Sequence, residues 1–168
     1  MMQYLSAVVV LVFPILVVWA AVTDFMTMTI ANRISVGLFA AGLVALAASG
    51  TPIEVVGAHL GAAALVFAIG FACFALGWMG GGDVKFASAV ALWLGWSHLL
   101  EYAVTFSVYG GLLTLVALFS NRVLDPLPVL KIGFLAHFQE HRRVPYGVAL
   151  SVAALQIFAE TPWMRVFG

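Results

Sequence analysis

Residues 53–78 read IEVVGAHLGAAALVFAIGFACFALGW and carry one Asp or Glu, Glu54, and no Lys or Arg. A helix needs about 20 apolar residues to cross the roughly 30 Å hydrocarbon core of a bilayer. Because lipid offers no hydrogen-bond partners, a spanning segment must satisfy its own backbone groups, which favours an α-helix. This stretch is therefore predicted to be a transmembrane helix.

Five further apolar runs lie on both sides of this stretch, separated by polar residues, glycine or proline. They cover residues 4–23, 30–48, 84–96, 102–119 and 145–158. The fourth and sixth spans along the chain are short, so we expect residues 97–100 and 160–163 to extend them. The first run lacks the basic start of a secretory signal, and we expect it to remain in the mature protein. The sequence predicts an all-α, polytopic membrane protein of about six transmembrane helices, forming one domain over residues 1–168.

The composition agrees with a membrane protein and excludes other classes. Apolar residues make up 64% of the chain and charged residues 8%, with seven basic and seven acidic side chains. A soluble domain carries about 25% charged residues. Without a basic surplus, nucleic acid is not an expected partner, because phosphate contacts need clustered Lys and Arg. The one cysteine, Cys73, permits neither an internal disulfide nor a cysteine-based zinc cluster.

The basic residues predict the orientation of the chain in the bilayer. With six alternating spans, six of the seven basic residues fall on one side and only Arg165 falls on the other. The six are Arg33, Lys85, Arg122, Lys131, Arg142 and Arg143. Lys and Arg in short loops favour the cytoplasmic side. We therefore expect both termini on the outer side and the ends that carry Asp24 and Asp83 at the cytoplasmic face.

Asp24 and Asp83 lie at the ends of two different predicted helices on this same face. Asp24 follows the first span, and Asp83 precedes the fourth. An ionisable residue at such a position is a candidate for function. Two adjacent carboxyl groups do not ionise together, so the pair can hold one proton and act as general acid and base in peptide hydrolysis. Spacing alone leaves open that Asp83 is a helix N-cap and Asp24 an ordinary helix-end carboxylate.

Six further residues are candidates for shaping the loops around the two aspartates or for contacting a substrate. A glycine run permits backbone angles closed to other residues and allows a second chain to approach closely. The lysine can fix the loop, or it can anchor the helix end at the lipid headgroups. These residues are Gly80, Gly81, Gly82, Lys85, Asn32 and Arg33.

Together these motifs resemble the type IV prepilin peptidase family of membrane aspartic proteases. The resemblance rests on the aspartate that ends the first helix, Ile-x-Asn-Arg at residues 30–33, Gly-x-Gly-Asp at residues 80–83 and Val-Pro-Tyr-Gly-Val-Ala at residues 144–149. It covers most of the chain. Within the family, the short six-helix form is similar to the TadV/CpaA-like peptidases of tight-adherence (Flp) pilus systems.

The resemblance implies an aspartic endopeptidase of the bacterial inner membrane. Such an enzyme removes the short basic leader of a prepilin or pseudopilin, a single-span substrate, at the cytoplasmic face just before the hydrophobic helix. Asp24 and Asp83 match its two catalytic aspartates, and neither a metal nor another cofactor is expected. The longer members carry a cytoplasmic insertion with cysteine pairs and also N-methylate the new terminus. Here only a few residues separate the first two spans, so we expect cleavage without methylation.

Two further predictions concern the turn between the first two spans and the outer boundary of the bundle. Ala31 stands where the family usually has proline, which predicts a less rigid turn. Trp93, Trp96 and Trp163 are expected to form an aromatic belt at the outer boundary. The oligomeric state is not predicted.

Two alternatives to a peptidase remain open from the residues alone. The first is a small proton-coupled transporter or channel component, although neither aspartate lies at the midplane where transporter sites are found. The second is a non-catalytic scaffold for pilus assembly.

A candidate zinc-binding motif lies in the predicted cytoplasmic loop between the fifth and sixth spans. His137-x-x-Glu140-His141 matches a zinc peptidase pattern, but its basic neighbours favour a solvated segment. Asp125 and Glu140 are the better candidates to attract a basic leader.

Overall fold

The structure, a computed structural model, describes residues 2–124 and 144–167. Within these ranges the chain forms six α-helices and no strand, so the predicted all-α fold is confirmed. The helices are α1 (Met2–Thr27), α2 (Asn32–Ala48), α3 (Ile53–Ala75), α4 (Gly81–Leu94), α5 (Leu99–Leu124) and α6 (Tyr146–Phe158). The expectations for Asp125, His137, Glu140 and His141 lie outside the described residues.

Two helical stretches are long and apolar enough to cross a membrane, Ile53–Ala75 and Trp96–Phe119. Three shorter apolar stretches accompany them, at Leu11–Thr27, Asn32–Ala48 and Tyr146–Phe158. All five overlap with apolar runs found in the sequence, and Leu11–Thr27 extends four residues beyond the run at residues 4–23.

The central element is α4, which packs against α2, α3 and α6. Ten of its fourteen residues are buried, from Val84 to Leu94 with only Lys85 exposed among them. A helix that is apolar on all sides is stable only when other helices surround it. Glycines let two of these neighbours approach closely: a Cβ at Gly70 of α3 would lie 2.9 Å from Val84, and one at Gly42 of α2 would lie 2.9 Å from Trp93.

Buried polar side chains donate hydrogen bonds to backbone carbonyls of neighbouring helices. Ser88 of α4 donates to Ala63 of α3 at 2.8 Å, and Tyr102 of α5 donates to Leu150 of α6 at 3.3 Å. A buried hydroxyl without a partner costs free energy, so these bonds help to fix the pairing of the helices.

Trp93 of α4 corrects the predicted aromatic belt. Its side chain is only 1% exposed, and its indole N–H donates to the carbonyl of Leu38 at 2.8 Å. It packs beside Phe13 and Phe158, whose rings stack with centroids 4.0 Å apart. Trp96 is exposed, whereas Trp163 donates its N–H to the Trp93 carbonyl. Trp93 is therefore part of the core, because a carbonyl of α2 satisfies its polar atom.

The two predicted helix extensions are wrong. Gly95 adopts a φ of 68° and ends α4, so residues 97–100 belong to a 3-10 helix (Trp96–His98) and to the start of α5. Likewise α6 ends at Phe158, where the Thr161 hydroxyl donates to the Phe158 carbonyl at 2.7 Å. A second 3-10 helix, Pro162–Phe167, follows. Both α4 and α6 are therefore as short as their apolar runs.

The turn between α1 and α2 keeps the geometry that a proline would impose. Ala31, the N-cap residue of α2, has a φ of −65° and a ψ of 135°, and proline fixes φ near this value. Its carbonyl accepts from the N–H of Ile34 at 2.9 Å. Within the described part of the chain no hydrogen bond uses the Ala31 N–H.

We expect Ala31→Pro to stabilise the protein by about 0.4–1 kcal/mol, because it restricts the unfolded chain without disturbing the turn. The thermal midpoint in detergent should rise by about 1–4 °C. Ala40→Pro, in the middle of α2, is the matched control and should destabilise by about 3 kcal/mol or more. A fall in the midpoint of Ala31→Pro would contradict this account of the turn.

Candidate active site

A cavity of about 680 Å³ contains both predicted catalytic aspartates in its wall. It opens where α1 ends and where α4 and α6 begin. Its other lining residues come from these helix ends, from the last turn of α3 and the segment that follows it, and from the middle of α5. They are Met28, Cys73, Gly77, Trp78, Met79, Gly80, Phe106, Thr114, Val144 and Tyr146.

Asp24 lies in the last turn of α1, with 4% of its surface exposed. The first turn of α6 faces its carboxyl group, and the backbone N–H groups of Gly147 and Val148 lie close enough to favour its charged form. The N-terminus of a helix favours a negative charge because its first N–H groups have no partner within the helix. The Oδ2 atom of Asp24 is buried without a hydrogen-bond partner among the described residues. One carboxyl oxygen is thus left to interact with a bound molecule.

Asp83 is the third residue of α4, and its carboxyl group turns back to the N–H of Gly80, the N-cap residue. This is the arrangement of an acidic residue in a capping box. The alternative that spacing left open, in which Asp83 is itself the N-cap residue, is therefore wrong. A Cβ at Gly80 would lie 2.8 Å from Oδ2 of Asp83, so a larger residue here would displace this carboxyl group.

The two carboxyl groups interact electrostatically across the cavity. Both lie just outside the predicted spans at residues 4–23 and 84–96. Burial raises the pKa of Asp83 to about 6, and the nearby charge of Asp24 contributes to this rise. Burial also raises the pKa of Asp24, while the N–H groups of Gly147 and Val148 oppose that shift. Such a pair favours one proton shared between two carboxyl groups.

The glycine run works through close packing rather than unusual backbone angles. None of Gly80, Gly81 and Gly82 has a positive φ, in contrast to the expectation from their sequence. A Cβ at Gly82 would lie 3.1 Å from the carbonyl oxygen of Ile30, and one at Gly81 would lie 3.3 Å from the ring of Phe74. The chain that approaches these two glycines is thus the protein's own.

Lys85 and Asn32 form a brace beside the cavity. The Lys85 ammonium group donates to Oδ1 of Asn32 at 2.9 Å, which ties the first turn of α2 to the first turn of α4. Neither residue lines the cavity, and Arg33 is exposed on α2 without lining it either. Of the eight predicted site residues, the structure brings Asp24, Asp83 and Gly80 to the cavity wall.

Three residues near the aspartates were not assigned a role from the sequence. Gly147 packs so tightly that a Cβ there would lie 2.7 Å from Cγ and Oδ2 of Asp24. Met28 lines the cavity with a φ of 53°, which is rare for a residue with a side chain. The buried Tyr102 lies within electrostatic reach of Asp83. Gly147 belongs to the Val-Pro-Tyr-Gly-Val-Ala motif at residues 144–149, but the motif does not indicate which carboxyl group this glycine faces.

The described residues contain no group of three or more His, Cys, Asp or Glu side chains that could hold a metal ion. The titratable side chains that line the cavity are Asp24, Asp83, Cys73 and Tyr146.

The raised pKa of Asp83 predicts how stability depends on pH. Between pH 4 and pH 6 the folded protein keeps a proton that the unfolded chain releases, so the free energy of unfolding falls as the pH rises. Asp83→Asn should weaken this fall and raise the thermal midpoint at pH 7. Glu54→Gln, at the opposite end of α3, is the matched control. Equal pH dependence in wild type and Asp83→Asn would contradict the burial argument.

Comparison with known proteins identifies the family. The model of the type IV leader peptidase family matches residues 11–119, a range that contains both Asp24 and Asp83. No curated protein and no solved structure matches the chain. Since the family match covers more than half of its residues, the chain belongs to the type IV leader peptidase family, whose members are peptidases embedded in membranes.

Proposed function

We propose that this protein is an aspartic endopeptidase in which Asp24 and Asp83 form the catalytic pair. The proposal rests on one observation, a single cavity with both carboxyl groups in its wall. Asp24 is buried at the end of α1, and Asp83 is half-buried at the start of α4. The family match supports a leader peptidase in general terms. Enclosing carboxyl groups in an apolar bundle strengthens their coupling, which is the condition for general acid and base catalysis at neutral pH.

In the proposed reaction Asp24 is the base and Asp83 is the acid. The N–H groups at the start of α6 favour the ionised form of Asp24. Its carboxylate takes a proton from a water molecule, and the water oxygen attacks the carbonyl carbon of the scissile bond. Asp83 donates its proton to the carbonyl oxygen. When the resulting diol collapses, the C–N bond breaks and the leaving amine receives the proton that Asp24 took up. A hydroxyl group of the diol returns a proton to Asp83, which leaves a carboxylic acid as the second product and restores both aspartates.

The proposed substrate is the precursor of a type IV pilin, Flp-type pilin or pseudopilin. Cleavage would remove its basic leader at the cytoplasmic face of the bacterial inner membrane, with the bilayer holding the apolar helix that follows. The distribution of basic residues supports this orientation, with both termini on the outer side. Asp24, which is buried beside the first turn of α6, would then act at the level where the leader meets the membrane.

We further propose that the enzyme does not methylate the new amino terminus. Only residues 28–31 separate α1 from α2, so no additional cytoplasmic domain lies between them. Mass spectrometry of the cleaved product should find an unmethylated amine, and a methylated product would overturn this part of the proposal.

Asp24→Asn and Asp83→Asn should each abolish cleavage, because each removes either the base or the proton donor. The assay is co-expression with a pilin precursor from the same genome, followed by a gel shift. Glu54→Gln is the control for loss of a carboxyl group elsewhere and should cleave normally. Thermal unfolding checks that the variants are folded in the membrane. Retained cleavage by either aspartate variant would overturn the pair, and proton flux in liposomes would then test the transporter alternative.

Gly147→Ala should lower kcat at least tenfold, since its Cβ would displace the Asp24 carboxyl group. The same Cβ would also lie 2.7 Å from Cδ1 of Ile30. The double variant with Ile30→Val removes this second contact and separates a packing defect from a displaced carboxyl group. Gly111→Ala on α5, where a Cβ would meet nothing within 4 Å, is the matched control. Full activity of Gly147→Ala would show that Asp24 does not depend on its position against α6.

A further inference from the structure

A second cavity, of about 510 Å³, opens between α3 and α5. α3 packs mainly on α4, whereas α5 packs mainly on α6, and the separation leaves a groove between them with α4 as its floor. No charged side chain lines this groove among the residues that the structure describes. Several large apolar residues on its rim are exposed, among them Ile69, Trp96 and Leu100. The groove therefore faces an apolar environment.

Small residues lie along the groove. Gly70 belongs to α3, Ala87 to α4 and Ala103 to α5, and all three line the cavity. Small side chains allow the backbones of two membrane helices to approach closely. Along α3 the lining extends over the nine residues from Leu65 to Cys73, which correspond to about 12 Å of helical rise. The groove can thus hold about two turns of an additional helix.

The groove adjoins the cavity that contains the two aspartates. Cys73, Met79 and Phe106 line both cavities. A helix lying in the groove would therefore end beside these three residues, and the chain preceding it would enter the cavity with Asp24 and Asp83.

The groove on the other face of α3 lacks this connection. It lies between α2 and α3 and measures about 640 Å³, but it shares no lining residue with the aspartate cavity. Lys85 is among its lining residues. This second groove is a matched comparison, because the two are similar in size and apolar character and differ in their access to the carboxyl groups.

We propose that the groove between α3 and α5 binds the apolar helix of the substrate and directs the preceding peptide bond to Asp24 and Asp83. The proposal rests on the proposed function. The apolar lining, the small residues along the groove and the three lining residues shared with the aspartate cavity together favour a transmembrane helix whose leader enters that cavity. The alternative occupant of the groove is lipid.

Disulfide cross-linking tests this placement, because Cys73 is the only cysteine in the chain and lies where the two cavities meet. The probe is a synthetic single-span polypeptide with a short basic leader, an apolar helix of about 20 residues and one cysteine at successive helix positions. Asp83→Asn keeps the complex uncleaved. Two further versions carry Cys73→Ser together with either Ala103→Cys in the groove or Ala40→Cys in the groove between α2 and α3.

We expect oxidation by copper phenanthroline to link Cys73 to probe cysteines near the leader end of the helix. Ala103→Cys should link to positions deeper in the helix, at least tenfold more efficiently than Ala40→Cys. Equal or stronger linking by Ala40→Cys overturns the proposal. So does linking by neither variant in membranes where the wild type cleaves the probe, which would assign the groove to lipid. Failure of the wild type to cleave the probe counts instead against the proposed function on which this inference rests.

A steric variant gives a second readout. Ala103→Trp should fill the groove and raise KM for the probe at least fivefold with kcat little changed, because the carboxyl groups are untouched. Ala40→Trp should leave both constants near the wild-type values. An unchanged KM in a folded Ala103→Trp protein would overturn the proposal.

Discussion

The architecture depends on the enclosure of α4. A helix with apolar side chains on every side gains stability only where other helices cover it, and α2, α3 and α6 provide that cover. Close contact requires small residues opposite bulky ones, and Gly42 and Gly70 face Trp93 and Val84 for this reason. Once α4 is fixed in this way, its first turn holds Asp83 at one end of the bundle.

The site is assembled from helix ends rather than from a loop. Asp24 lies in the last turn of α1 and Asp83 in the first turn of α4. The N–H groups at the start of α6 face Asp24. Ile30 joins these parts, because its backbone lies against Gly82 and its side chain lies against Gly147. Helix ends carry unsatisfied backbone groups and can therefore hold a carboxyl group inside an apolar bundle, where the middle of a helix cannot.

Much of this arrangement follows from local sequence. The helices could be located from the apolar runs, and Asp24 and Asp83 could be assigned to helix ends from the polar residues around them. Both features depend on composition over a short window. Features set by tertiary contacts could not be read in the same way. The sequence contains 16 glycines and does not distinguish Gly147, which faces a carboxyl group, from Gly111, which faces open space. Trp93 looked like a boundary residue because only the fold supplies the Leu38 carbonyl that binds its indole N–H.

The length of α4 has a consequence for the surrounding bilayer. Its 14 residues rise about 21 Å, less than the roughly 30 Å of hydrocarbon that a membrane presents. At least one end of this helix must therefore lie below the level where the lipid headgroups begin. Hydrophobic mismatch of this kind is relieved by a local thinning of the bilayer or by flanking side chains that reach to the headgroups. A thicker membrane needs more thinning around this helix. Membrane thickness therefore affects how closely water approaches the bundle.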